Sequence, residues 1–325
     1  MARDSVLVTG GNSGIGFECA RQLARAGWHV LIASRNQEAS LEAARRIMRE
    51  SGEGTVEVLT VDLGSNASVR SLGREIEARN EPLRALVCNA GLQTMGDLRR
   101  SADGFELTFA ANHLGHFLLA NLLLARLAAH APARIVVVAS GVHDPKLVTG
   151  MPKPDVADLD TLAATGGPRA GAFDGRLAYV NSKLCNLWFV YELGRRIEGA
   201  RLVRAGRPIT VNGYDPGLVP GSGLARDYPA PLRFVWDSVL PGLARMLSPL
   251  VPSISTAERS GQALARLVLD PALADTSGRY FPSHTRWREA PSSEASYDVA
   301  AARALWEKSV ALAGLTPAES PLVAA

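Results

Sequence analysis

The sequence predicts a doubly wound α/β fold built on a parallel sheet, and three observations predict it. Short, near-continuous apolar runs alternate with segments of helical periodicity. The first run ends in a glycine-rich turn, complete by Gly16, and helical periodicity follows at once. No repeat, linker or change of composition divides the 325 residues, so a single domain spanning 1–325 is expected, long for one sheet but within range if the sheet carries insertions.

The elements follow in order. Ser5–Thr9 reads as a first strand and Ile15–Ala26 as a helix that Gly27 stops. Trp28–Ser34 is a second strand and Glu38–Ser51 a second helix. Val56–Val61, Ser68–Arg79 and Leu83–Cys88 continue the alternation. Phe105–Ala128 is a long helical region, Ala133–Ala139 a β-branched strand, Leu177–Ile197 a helix and Ile209–Tyr214 a sixth strand. Thr256–Leu269 and Ser296–Ala313 have helical periodicity, and 316–325 is expected to be a loose tail. Two stretches rich in Gly and Pro, Gly141–Arg176 and Asp215–Thr256, break the rhythm. They are expected as insertions at the carboxyl edge of the sheet, where such folds bind ligands. Within the second, 218–256 is expected to form a substrate-binding lobe.

Charge and cysteine usage narrow the function classes. Of 35 basic residues only four are lysines, Lys146, Lys153, Lys183 and Lys308, and the arginines are scattered among acids. That is the pattern of a solvated surface, not of a nucleic-acid patch. Cys19, Cys88 and Cys185 lie in apolar segments without metal or redox spacing, which predicts buried thiols and a reducing, cytoplasmic location. Met1-Ala2-Arg3-Asp4 runs straight into the first strand, leaving no room for a signal peptide. The longest apolar stretches, Leu114–Leu127 and Leu232–Val251, carry His, Asn, Arg, Asp or Pro, so neither is expected to span a membrane. Assembly into a homo-oligomer stays open.

Six constellations carry chemistry. Thr9-Gly10-Gly11-Asn12-Ser13-Gly14-Ile15-Gly16 joins a strand to a helix, where glycines let the backbone approach a pyrophosphate and the helix N-terminus offers free N–H groups. At the end of the second strand stand Ser34 and Arg35. An acid there would hold the ribose 2′-hydroxyl of NAD. A guanidinium instead grips a 2′-phosphate or stacks on adenine, and the expectation is NADP(H) over NAD(H). Asp62-Leu63 ends the third strand, either to bond the adenine amino group or to cap a helix. Asn89-Ala90-Gly91 follows the fourth and leaves room for a ribose and nicotinamide. Tyr179 and Lys183 are four apart on one helix, hence on one face. A nearby ammonium favours the phenolate, and bringing a tyrosine from about 10 to about 7 takes roughly 4 kcal/mol. Ser140, at the end of the fifth strand, could hold a substrate carbonyl oxygen beside Tyr179. Asn112 is polar within an apolar helical run and is expected to kink it and tether water near Lys183. His113 and His116 have metal-pair spacing but no third ligand, and read as packed histidines, so no metal site is expected.

Together these residues resemble the short-chain dehydrogenase/reductase family, from Val6 to about Pro216-Gly217. The resemblance implies a seven-stranded Rossmann sheet and a catalytic tetrad at Asn112, Ser140, Tyr179 and Lys183, and adds Pro216 and Gly217 to the cofactor site. Asp103–Leu107, Asn112–Leu118, Phe173–Gly175 and Ser182–Asn186 are similar to retinol dehydrogenases and light-dependent protochlorophyllide reductases. The long gap between Ser140 and Tyr179 and the segment Ser222–Arg226 point to the second group. Two positions depart from that group: Leu218 stands where it has a cysteine, and Asp215 where it has a tyrosine.

The expected activity is hydride transfer between nicotinamide and a carbonyl or alcohol carbon, with Tyr179 as acid and base. Leu224, Tyr228, Leu232, Phe234, Val235, Trp236 and Leu240 suit a lipophilic, bulky substrate, or simply pack the lobe. The alternatives are a C=C reductase of a tetrapyrrole, which Leu218 disfavours, and a non-catalytic NADP-binding sensor, which has no need of the tetrad.

Overall fold

The computed structural model describes residues 3–52, 54–156, 158–167, 172–202 and 208–323. Seven parallel strands form one sheet: β1 (Ser5–Thr9), β2 (His29–Ser34), β3 (Thr55–Thr60), β4 (Leu83–Cys88), β5 (Ala133–Val138), β6 (Ile209–Tyr214) and β7 (Arg279–Phe281), in the order β3-β2-β1-β4-β5-β6-β7. This is the expected doubly wound Rossmann arrangement. The chain reverses its winding between β1 and β4, so the loops after those strands flank the crevice in which such sheets bind ligands. Strand β7 escaped sequence reading because it is three residues long, too short for any periodicity; it pairs with β6 from Asn212↔Arg279 to Tyr214↔Phe281.

The helices are α1 (Gly14–Arg25), α2 (Gln37–Met48), α3 (Asn66–Glu77), α4 (Leu107–Phe109), α5 (Gly115–Ala129), α6 (Leu159–Thr165), α7 (Gly175–Gly199), α8 (Ala230–Phe234), α9 (Leu240–Leu247), α10 (Ala257–Leu269) and α11 (Val299–Ala313). Apolar side chains of α1, α2 and α10 cover one face of the sheet, and those of α3, α5, α7 and α11 cover the other. The long helical region around Asn112 is broken. Ala110–Leu114 forms a π-turn between α4 and α5, the kind of bulge that recurs at functional sites. Leu107–Ala129 is apolar and long enough to cross a bilayer, yet 94% of its apolar window is buried inside the fold, as a core helix requires.

The closing segment corrects an expectation. Residues 316–323 are docked, not loose: Ser320 Oγ donates to the buried Asn121 Oδ1 at 2.8 Å, Arg70 pairs with Glu319 at 2.6 Å, and Leu322 and Val323 pack on the core. Polar anchors at Asn121 and Arg70, far away in sequence, hold what composition alone presents as an unstructured end. Ala324 and Ala325, and the leader expectation at Met1-Ala2, fall outside the described residues.

Candidate active site

One cavity of about 1460 Å³ opens at the carboxyl ends of the strands. Gly10, Asn12, Ser13, Gly14, Ile15, Gly16, Arg35, Asp62, Leu63, Asn89, Ala90, Gly91, Ser140, Tyr179, Lys183, Pro216 and Gly217 all line it. Residues spread from 10 to 217 therefore converge on one cavity.

The glycine turn is shaped by close approach. A Cβ on Gly16 would sit 2.4 Å from the Gly10 carbonyl oxygen, so no other residue fits there. Gly10 itself takes φ +66°, which favours glycine. Asn89 fastens this turn to β4: its Nδ2 donates to the Thr9 carbonyl at 2.9 Å, and its backbone N–H donates to Thr9 Oγ1 at 2.9 Å. Ser13, the N-cap of α1, makes no side-chain capping bond, and the first turn carries no acid. Free N–H groups, a positive dipole end and a backbone that leaves no room for side chains suit the pyrophosphate of a dinucleotide. Arg35 is exposed and in no ion pair among the described residues, leaving its guanidinium free. Asp62 is not the helix cap: Ser65 caps α3, and Asp62 Oδ1 accepts from Gly64 N–H at 3.0 Å.

Ser140, Tyr179 and Lys183 also line the cavity. Ser140 lies two residues beyond β5 and caps the turn Gly141–His143, and α7 carries Tyr179 and Lys183, both buried. Burial pushes the Tyr179 phenol well above 10; the Ser140 hydroxyl bonded to it acts the other way, and the Asp215 carboxylate adds to the rise. The Lys183 ammonium lies 5.4 Å from the centre of the Tyr179 ring and donates to the Val138 carbonyl at 3.1 Å. Burial lowers Lys183 to about 8, while Asp215 opposes that shift. Without a bound nicotinamide, burial dominates and holds Tyr179 protonated.

Asn112 lies outside the cavity lining. Its Oδ1 accepts from Leu92 N–H at 2.8 Å, and its Nδ2 donates to the Leu92 carbonyl and to Ser182 Oγ. Its backbone carbonyl accepts from His116 Nδ1 at 3.1 Å. The Asn112 side chain is thus bonded to Leu92 and Ser182, and Asn112 is a positioning residue that fixes the loop beside Gly91.

Of the lobe residues, Leu224, Tyr228 and Trp236 reach the cavity, whereas Leu232, Phe234, Val235 and Leu240 do not. Leu232, Phe234 and Val235 face solvent. Leu218 lines the mouth and is 51% exposed.

Sequence reasoning missed two residues. His143 Nε2 accepts from Ser293 N–H at 3.1 Å, which leaves Nδ1 to donate to the Ser140 carbonyl at 2.6 Å. It ties the Ser140 turn to a segment 150 residues away, a contact that no local pattern announces. Asp215 was visible only as a departure from a family pattern. It is buried and faces the cavity, its oxygens accepting from Gly217 N–H and Ser283 Oγ. An acid directly after an apolar strand was the available signal.

His113 and His116 are packed, as expected: His113 Nε2 meets Ser309 Oγ at 2.9 Å and His116 Nε2 meets Thr9 Oγ1 at 2.8 Å. Burial, the largest cause, lowers them to about 3 and about 4 from 6.5. Both are neutral in the fold, so their contribution is complete above about pH 6.5. It is lost as the pH falls, because the unfolded chain takes up protons that the folded chain refuses. At pH 5 each should cost about 2 kcal/mol relative to neutral pH. Thermal melts from pH 7.5 to 5 should show the decline, and His113→Leu should flatten it; an unchanged slope in that variant would contradict the assignment.

The model for short chain dehydrogenase matches residues 4–150, and that for the AcuH dehydrogenase domain matches 224–322. Human retinol dehydrogenase 13 is 34% identical over 319 residues, covering 98% of this chain and 86% of that protein. The WW domain-containing oxidoreductase of Danio rerio is 37% identical over 305 residues, 94% of this chain; the chain spans 67% of that relative and 66% of its human counterpart. A solved structure of an uncharacterised protein from Mycobacterium Paratuberculosis superimposes with a TM-score of 0.67 at 28% identity, over 96% of this chain and 94% of that one. The chain belongs to the short-chain dehydrogenase/reductase family. It is an oxidoreductase of that family, whose members use a nicotinamide cofactor.

Proposed function

We propose that the chain transfers hydride between NADP(H) and the carbonyl or alcohol carbon of a bulky apolar substrate, with Tyr179 as general acid and base. One observation supports this most: the glycine turn, Arg35 and the Ser140–Tyr179–Lys183 cluster line the same cavity. Gly10, Ser13, Gly14, Ile15 and Gly16 would hold the pyrophosphate, Arg35 the 2′-phosphate, Asp62 and Leu63 the adenine, and Asn89–Gly91 with Lys183, Pro216 and Gly217 the nicotinamide half. When bound, the nicotinamide supplies or accepts the hydride.

The chain's own residues handle the proton. Ser140 bonds the substrate oxygen and orients it. Tyr179, held protonated by burial, delivers its proton to that oxygen in reduction and takes it back in oxidation. Lys183, buried beside it, stabilises the phenolate left behind. Leu147, Val148, Met151, Leu218, Leu224 and Trp236 give the remaining wall apolar character, and the human relative is named for retinol, itself a bulky apolar alcohol.

Catalytic efficiency should therefore rise along a series of lengthening alkyl aldehydes, by up to about fourfold per buried methylene at about 0.8 kcal/mol each. Trp236→Ala should flatten that rise without changing cofactor affinity. Steady-state kinetics across the series read both, and an efficiency that is flat or falls with chain length in the wild type would remove the apolar pocket.

A further inference from the structure

The lobe carries a surface that catalysis leaves unused. Leu232, Val235, Val239, Leu243, Met246 and Leu250 recur at steps of three and four along α8, the π-turn Val235–Val239, α9 and the turn after it. They are 41% to 77% exposed. Spacing of this kind puts them on one side of the arm, a stripe about 21 Å long from Leu232 to Met246 at 1.5 Å per residue. Neither α8 nor the π-turn has a buried residue, and α9 buries only Ala244. A continuous exposed apolar stripe marks an interaction site, unlike scattered surface leucines.

What covers the stripe is constrained by its surroundings. Arg226, Arg233, Arg245 and Arg286 are exposed around it, and none is in an ion pair among the described residues. Asp227 is already paired with Arg99 at 2.7 Å, which leaves Asp237 as the nearby exposed acid on the arm. The arm is already seated on the body of the protein, with Trp236 Nε1 donating to the Ser222 carbonyl at 3.0 Å and Ala244 buried, and the stripe stays exposed in that seating. A second copy docked stripe to stripe would bring its arginines against these. Leu218 and Val148, which line the cavity, are exposed as well.

We propose that this arm docks the protein on an anionic bilayer. The apolar stripe enters the boundary between headgroups and acyl chains, the four arginines meet lipid phosphates, and the cavity mouth comes to rest against the lipid. The protein lies on the membrane without spanning it.

Flotation of the full chain with vesicles tests this. Phosphatidylcholine vesicles containing phosphatidylglycerol should carry the protein upward at low salt, and pure phosphatidylcholine vesicles should carry much less. Leu243→Glu with Met246→Glu, at exposed positions, should keep the melting temperature and weaken partition at least about tenfold. Arg233→Gln with Arg245→Gln should weaken binding to the anionic vesicles about thirtyfold, at roughly 1 kcal/mol per arginine. No flotation on anionic vesicles, or both variants floating like the wild type, would overturn the proposal. So would a wild type that ignores vesicles but runs as a dimer that the Glu variant dissociates, since a second copy would then cover the stripe. The assay needs no substrate, so its failure is distinct from a failure of carbonyl reduction.

Discussion

Tyr179→Phe should fold, bind cofactor and turn over about 10² to 10⁴ times more slowly than the wild type, the range that general acid–base groups supply. The substitution deletes one hydroxyl from a buried ring and leaves the ring's packing against α7 and the cavity wall in place. Ser140 is an alcohol, Lys183 spends one of its three N–H donors on the Val138 carbonyl at 3.1 Å, and the Tyr228 phenol on the cavity wall is pushed up by burial. Asp215, the nearest buried acid, already accepts from Gly217 and Ser283. The pH profile of the wild type should share this logic. Reduction should weaken as the pH rises through about 8, where Lys183 gives up its proton and no longer steadies the phenolate. Stopped-flow turnover and a cofactor titration on the purified variant read the two halves separately. Near-wild-type rates would move the proton path elsewhere.

Arg35→Ala should weaken NADPH binding about tenfold or more while leaving NADH nearly unchanged, because only the 2′-phosphate loses a charge-assisted contact. The change is at an exposed side chain with no ion pair to break among the described residues, so the fold should not move. Adding Ser34→Asp should push preference further toward NADH by placing a carboxylate where a ribose hydroxyl would sit. That second change has a structural cost, since Ser34 Oγ meets Ser40 Oγ at 2.7 Å at the start of α2. The single variant is therefore the cleaner measure, and fluorescence titration with both cofactors reads it. Equal losses for NADPH and NADH would remove Arg35 from the phosphate.

What was legible in the sequence had a local cause. Strands buried on both faces must be continuous apolar runs, and the β4 and β6 boundaries at Leu83–Cys88 and Ile209–Tyr214 were found to the residue. The glycine turn and the Tyr179–Lys183 pair announce themselves because few residue types satisfy the backbone approach or the helical spacing they need. The misses share another physics. Strand β7 is too short to show a period. The docked end depends on Asn121 and Arg70, and His143 acts through Ser293. In the lobe, an apolar composition was visible, but which side faces the cavity was not: Trp236 turns inward while Phe234, two positions before it, is 63% exposed.

Transfer of label from NADPH carrying deuterium at C4 to a long-chain aldehyde, followed in the dark, tests hydride delivery to a carbonyl most directly. Deuterium is expected on the carbinol carbon of the alcohol product, at a rate that Tyr179→Phe lowers about 10² to 10⁴-fold. Product without label, label placed across a C=C bond, or transfer that occurs only under illumination would contradict it.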